Sequence, residues 1–392
     1  MLNFEYYNPA RILFGKGEER QAGRQAARYS AKKRILLHYG SGSIKRNGVY
    51  DRVVASLKEE DIFFVELPGV VPNPRYSLAQ KGIQLCREND LDFILAVGGG
   101  SVIDSAKCIA LGTHYQGDVW DYYLDNGKPV EHDVLGVGCV LTIPAAGSES
   151  STGSVITREE GLLKRSYDGE VLIPKFSVLN PETTFTLPDY QTACGASDIL
   201  AHLMERYFTQ VPHVDVTDRL LEADMKTILY NAPVALREPD NYDVRAEIMW
   251  AGTIAHNNLL NTGRVGDWGS HNIEHELSGI YDIAHGAGLS IVFPAWMKYV
   301  YKDNIDKFVQ FAVRVFDVQL PFEDKERIVW EGIRRLEAWY QSMGLPIRLS
   351  DANIPGDRLE EMAKKSVLHC EHVGHFKKLY AEDVHEILKL AL

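Results

Sequence analysis

The stretch "FILAVGGGSVIDSAK", residues 93–107, decides the fold. It reads as a strand, then three glycines (Gly98, Gly99, Gly100), then a helix. Ser101 stands where an N-cap belongs, with Asp104 three residues later in the manner of a capping box. Glycines let a backbone approach a phosphate closely, and a helix start offers free N–H groups and the positive end of a dipole. The turn is therefore a candidate pyrophosphate cradle; a tight β–α turn with an ordinary cap is the plain alternative. The loop is neither GxGxxG nor GxxxxGK[ST], so neither standard phosphate motif applies.

Working outward, the first half of the chain alternates. "RILLHYG" (34–40) reads as a buried strand, the stretch after Asn47 as a helix, and "IFFVELP" (62–68) as a strand. "SLAQKGIQLCREND" is helical, and "VLGVGCVLTIPAAGSESS" holds a further strand and a Gly/Ser-rich turn. Strands alternating with helices of this length predict a parallel α/β sheet. From about Pro188 the texture changes. "DYQTACGASDILAHLMERYF", "VTDRLLEADMKTILYNAPVALRE" and "YDVRAEIMWAGTIAHNNLL" all carry helical periodicity, and the remainder stays helical. The expectation is an α/β dinucleotide-binding domain over 1–188 and an all-α domain over 189–392.

A chain of 392 residues, 45% hydrophobic and 24% charged, has enough apolar side chains for full cores. The formal net charge of -12, with no Lys/Arg block, argues against nucleic acid or an anionic membrane as partner. The five cysteines fall in no zinc-finger spacing, which fits a reducing compartment. No signal peptide or bilayer-length apolar run is visible, so the reading is a soluble cytoplasmic protein.

A second Gly/Ser turn follows the first strand, at Gly40, Ser41, Gly42 and Ser43. It ends without an acid. In dinucleotide sites an acidic side chain at a strand end takes the ribose 2′-OH, and its absence leaves room for a 2′-phosphate. Gly40, Ser41, Ser43 and Lys45 thus tilt the expectation towards NADP(H). Glu66, at the next strand end, competes for the ribose and would favour NAD(H).

Asp198 and His202 in "SDILAH" are four apart on a predicted helix, so they share a face. His271 and His275 repeat that spacing, and His285 follows just before "GAG". One carboxylate with two or three histidines suits a divalent metal, Fe²⁺ or Zn²⁺. A metal hydrolase of the HExxH kind loses ground, because Asn272 stands where the general-base Glu belongs and Glu274 precedes the second histidine.

These residues carry a family. Along nearly its whole length the chain resembles the iron-containing (group III) alcohol dehydrogenases. The motifs are "YYNPARILFGKG", "GVVPNPR" (69–75), "AVGGGSVIDSAK" (96–107), "TIPAAGSES" (142–150), "SDILAHLMERY" (197–207) and "HNIEHELSGIYDIAHGAG" (271–288). "YGSGSIKRNGVYDRV" and "REPDNYDVRAEIMWA" look most like the NADPH-dependent butanol dehydrogenase and aldehyde reductase branch. The resemblance implies a dehydroquinate-synthase-like fold and a homodimer. It implies metal ligands at Asp198, His202, His271 and His285, with His275 set apart near nicotinamide and substrate. It places Gly99, Gly100, Ser101 and Asp104 on the pyrophosphate-binding turn, Thr142 and Ser148 along the cofactor and Lys164 at its adenosine phosphate end. The chain departs from the family at Asn180-Pro181, where Asp-Pro is frequent, and at Ser41, where close relatives often have glycine. The expected reaction is reversible hydride transfer between the nicotinamide and a primary alcohol or aldehyde such as butanol or butanal. In it the metal would act as Lewis acid and His275 would relay a proton. The competing reading is a metal- and NAD-dependent lyase related to dehydroquinate synthase. It needs several basic residues around a polyanion, and "HNNLLNTGRVGDWGSH" offers only Arg264.

Overall fold

Residues 1–319 and 324–392 are described by a computed structural model. Period-two alternation builds its main sheet. In β4 (Phe93–Gly99), Phe93, Leu95 and Val97 join one buried layer and Ile94 and Ala96 the other. Six strands pair in parallel in the order β1-β8-β5-β4-β2-β3. The others are β1 (Arg11–Phe14), β2 (Arg34–Gly40), β3 (Phe63–Val70), β5 (Gly136–Ile143) and β8 (Phe176–Leu179). Strands β6 (Gly153–Arg158) and β7 (Leu163–Asp168) form a separate antiparallel hairpin.

Helices cover both faces of the sheet, as an all-parallel sheet requires. The helices α1 (Ala22–Tyr29) and α3 (Val49–Glu59) lie on the Phe93 side. The helices α4 (Tyr76–Glu88) and α5 (Gly100–Thr113) lie on the Ile94 side. Short helices α2 (Ser43–Arg46) and α6 (Trp120–Leu124) complete the run. His38, buried on β2, is held neutral: Nδ1 donates to Leu67 O at 2.8 Å and Nε2 accepts from Ser105 Oγ at 2.9 Å. Asn180 explains one departure from the expected Asp-Pro. Its Nδ2 donates to the buried carboxylate of Glu19 at 2.8 Å, where an aspartate would set two acids face to face.

The chain falls into two compact units, and neither is an unbroken half. One comprises Tyr7–Leu187 with Pro239–Asn257, the other Met1–Tyr6, Pro188–Glu238 and Asn258–Leu392. The α/β unit thus includes α9 (Tyr242–His256). Thr253 Oγ1 donates to Glu149 Oε1 at 2.7 Å there, and Gly147 adopts φ 63° beneath His256. The other unit is helical. It contains α7 (Asp189–Tyr207), α8 (Asp215–Arg237), α10 (Gly269–Tyr281), α11 (His285–Val300), α12 (Ile305–Phe316), α13 (Lys325–Ser342), α14 (Leu359–Ser366) and α15 (Ala381–Leu390). Among the described residues no helix is long and apolar enough to cross a membrane.

Candidate functional site

Helix α7 carries Asp198, His202 and Glu205 on one face, at spacings of four and three. All three are buried. Helix α10 brings His271 to the same place: ligand atoms of Asp198, His202 and His271 lie within 4.8 Å of one another. His285, the first residue of α11, completes the set with Nε2 3.7 Å from Asp198 Oδ1. The four side chains nominated as ligands therefore converge from three helices. His275, one turn beyond His271, groups instead with Glu274 and His285.

The donor set suits a divalent ion. His271 Nε2 is buried and has no hydrogen-bond partner, and the buried Asp198 Oδ1 has His202 Nδ1 3.1 Å away. Burial pushes the Asp198 carboxyl up, but His202, His285 and His271 beside it win and hold it well below the usual carboxylate range. Burial, then repulsion from His202 and His285, keeps the His271 imidazole neutral. An ionised Asp198 carboxylate beside a neutral His271 imidazole is the protonation state that metal binding requires of those two groups.

Backbone features position these groups. Trp268 N-caps α10 in the left-handed region (φ 65°), a rare conformation for a bulky side chain. It is held there by its N–H, which donates to Glu205 Oε2 at 2.6 Å. Its ring packs edge-on to His271, with centroids 5.3 Å apart, and also lies against His202, so it walls the two histidines. Asp267 accepts from Gly269 N, His375 N and Phe376 N, tying the start of α10 to the 374–376 turn. Burial pushes the Asp267 and Glu205 carboxyls up, and Glu205 adds to the rise at Asp267.

The two glycines of "HGAG" have steric reasons. A Cβ on Gly286 would lie 2.0 Å from the Cys194 carbonyl oxygen, so α11 meets the backbone of α7 there. A Cβ on Gly288 would lie 2.4 Å from Glu274 Oε1.

In the α/β unit, β4 runs directly into α5. The N-cap is Gly99, with no side-chain cap, and Ser101 lies inside the first turn. The expected Ser101 cap and Asp104 capping box are therefore corrected. The helix starts earlier, and the Asp104 carboxylate turns inward, accepting from Ser148 Oγ at 2.5 Å and Val155 N at 3.0 Å. Lys107, which sequence reasoning passed over, is fully buried and donates to Ser151 O and Gly153 O at 2.9 and 2.8 Å. Thr142, Ser148 and Lys164 are buried too, whereas Gly99, Gly100 and Ser101 are half-exposed at the uncapped helix mouth. The Gly40–Ser43 turn is also accessible, with Ser41 and Ser43 exposed. Glu66 sits mid-strand rather than at a strand end. Its carboxylate still reaches this turn, accepting from the hydroxyls of Tyr39 and Tyr50 and pairing with Lys45 at 3.7 Å. Burial alone would raise the Glu66 carboxyl, but those partners lower it, so it is charged.

Comparison with known proteins agrees with this architecture. The chain is 45% identical over 394 residues to a probable NADH-dependent butanol dehydrogenase of Bacillus subtilis, with all of both chains covered. It is 38% identical over 372 residues to the NADPH-dependent aldehyde reductase YqhD of Escherichia coli, covering 94% of each. The crystal structure of NADH-dependent butanol dehydrogenase A from Thermotoga maritima superposes with a TM-score of 0.96 at 40% identity, covering 100% of this chain and 99% of that one. Residues 9–181 match the family described as iron-containing alcohol dehydrogenase, and residues 192–392 match the C-terminal part of the Fe-containing alcohol dehydrogenase family. The chain belongs to the iron-containing alcohol dehydrogenase family.

Proposed function

We propose that this alcohol dehydrogenase and aldehyde reductase works on small primary alcohols and aldehydes, butanol and butanal among them, with a divalent ion on Asp198, His202, His271 and His285. The carrying observation is the convergence of one ionised carboxylate and three imidazoles, with His271 Nε2 buried and unpartnered. The family name favours Fe²⁺, and the donor set also suits Zn²⁺. When bound, the ion supplies a Lewis acid for the substrate oxygen and the nicotinamide supplies or accepts the hydride. The rest falls to this chain's residues. The N–H groups of Gly99, Gly100 and Ser101 hold a pyrophosphate at the uncapped start of α5. Asp104, bonded to Ser148 and Val155, fixes that turn from behind, with Lys164 lending charge to the same buried cluster. Thr142 and Ser148 lie along the coenzyme. His275 moves a proton between the substrate oxygen and solvent.

Gly40, Ser41 and Ser43 receive the adenosine ribose. The missing acid on β2 admits a 2′-phosphate, while the charged Glu66 neutralises Lys45 and opposes one. We therefore propose that both NADH and NADPH are used, with catalytic efficiencies within about tenfold of each other. Of the three relatives described above, two are named for NADH and one for NADPH, so both coenzymes are used by similar chains. The test is absorbance at 340 nm with butanal and each coenzyme, before and after removal and return of Fe²⁺ or Zn²⁺. Silence across an aldehyde panel would refute the activity, and a hundredfold coenzyme preference would refute the dual use. Glu66→Gln should shift the ratio towards NADPH by about fivefold, the worth of one screened, partly exposed charge at roughly 1 kcal/mol.

A further inference from the structure

We infer that Glu205 and Glu274 are positioning residues of the metal site, each fixing the tautomer and aim of one liganding histidine and so setting how tightly a divalent ion is held. The inference rests on the metal reading above and goes beyond its ligand set.

All three candidate histidine ligands have Nδ1 engaged. His202 Nδ1 donates to Asp198 O at 2.8 Å, one turn back on its own helix, with Asp198 Oδ1 3.1 Å from the same nitrogen. His271 Nδ1 donates to Glu205 Oε1 at 2.7 Å. His285 Nδ1 donates to Glu274 Oε2. A neutral imidazole that donates from Nδ1 keeps its lone pair on Nε2, so the same nitrogen of each ring is the ligand. A backbone carbonyl serves the first ring, and a carboxylate serves each of the other two.

Both carboxylates are fully buried and locked. Glu205 also accepts from His271 N at 3.0 Å and Trp268 N at 2.6 Å, which anchors the first turn of α10 as well as the ring. Glu274 also accepts from Ser278 Oγ, one turn along, in the space that Gly288 leaves open. Neither acid can swing away to become a ligand itself without giving up these bonds. The same geometry argues against a second ion on Glu274, His275 and His285. Glu274 and His285 are in direct hydrogen-bond contact, and Ser278 takes the other Glu274 oxygen. A histidine donating to a carboxylate behind it is the arrangement that orients metal ligands and raises their basicity.

The test is Co²⁺ titration of the metal-stripped protein, followed by its visible ligand-field spectrum, with circular dichroism to confirm folding. Glu205→Gln and Glu274→Gln should each weaken Co²⁺ binding by about 10- to 100-fold. The loss from Glu274→Gln should vanish in a His285→Ala background and persist in a His271→Ala background, which a merely structural role would not produce. If Glu205→Gln does not fold, the Glu274 cycle decides. Parental affinity in folded Gln variants, or a Glu274→Gln loss that survives in the His285→Ala background, would overturn the inference. No Co²⁺ uptake by the unaltered chain would overturn the metal reading itself, and this inference with it.

Discussion

Gly286→Ala should loosen the junction that brings His285 to the other proposed ligands. The new Cβ would stand 2.0 Å from the Cys194 carbonyl oxygen and 2.7 Å from its carbon. These are backbone atoms of α7 and no rotamer change can move them aside. Non-bonded heavy atoms rest at about 3.5 Å, so α11 must withdraw from α7 by roughly 1–1.5 Å. The hydrogen bond from Ser197 Oγ to Gly286 O, now 2.7 Å, stretches with it. Overpacking of this kind costs about 1–3 kcal/mol. In a helical unit of roughly 200 residues each kcal/mol is worth about 2–4 °C of melting midpoint, so the metal-free protein should melt about 2–12 °C lower. The consequence for the site is larger. Asp198 and His202 ride on α7 and His285 on α11, while a metal site tolerates only about 0.2 Å in ligand distance. Metal affinity should therefore fall at least about tenfold, comparable with the loss of an outer-shell partner. Thermal melts of the stripped protein and metal analysis after reconstitution measure both effects. A variant with the parental midpoint and parental metal content would show that the helices do not need this contact, and the reasoning would fail.

Two further outcomes follow from the same structure. His275→Ala should keep its metal and lose turnover, whereas His271→Ala should lose the metal; equal metal loss in both would make His275 a ligand and end its proton-relay role. Asp224 on α8 has its carboxyl pushed up to about 8 by burial, and its Oδ2 has no hydrogen-bond partner. The native state then keeps a proton that the unfolded chain releases near its ordinary value of about 3.9. Parental stability is intact below that value and is lost as pH rises to about 8. Asp224→Asn should accordingly gain little midpoint at pH 4 and most at pH 8 or above; a gain that is flat or shrinks with pH contradicts the assignment.

What could be read in the sequence divides along physical lines. The buried strands were legible because two covered faces demand unbroken apolar runs, and "RILLHYG" and "DFILAVGGG" match β2 and β4 closely. Helical periodicity likewise marked α7 and α9. Periodicity reports which face is apolar but not what covers it. Nothing in "YDVRAEIMWAGTIAH" says that α9 packs on the α/β unit; a bond between Thr253 and Glu149, a hundred residues away, does. The Ser101 cap was misplaced for a related reason. A polar residue near a helix start resembles a cap until the strand is seen to run straight into the helix. At the proposed metal site, spacing nominates Asp198 with His202, and the family resemblance, not spacing, chooses His285 over His275. Glu205 stands seven residues after Asp198 and three after His202, on the same face, yet carries no sequence signal of its own. An acid on a helix is ordinarily solvated, and only burial turns it into an obligate partner. Glu274 does not fit the general-base position, because an HExxH helix puts the acid in a different place. Both acids follow from one requirement. A buried imidazole that offers Nε2 to a cation must dispose of its Nδ1 proton, and where no carbonyl lies one turn back, as Asp198 O does for His202, a carboxylate must be brought to it.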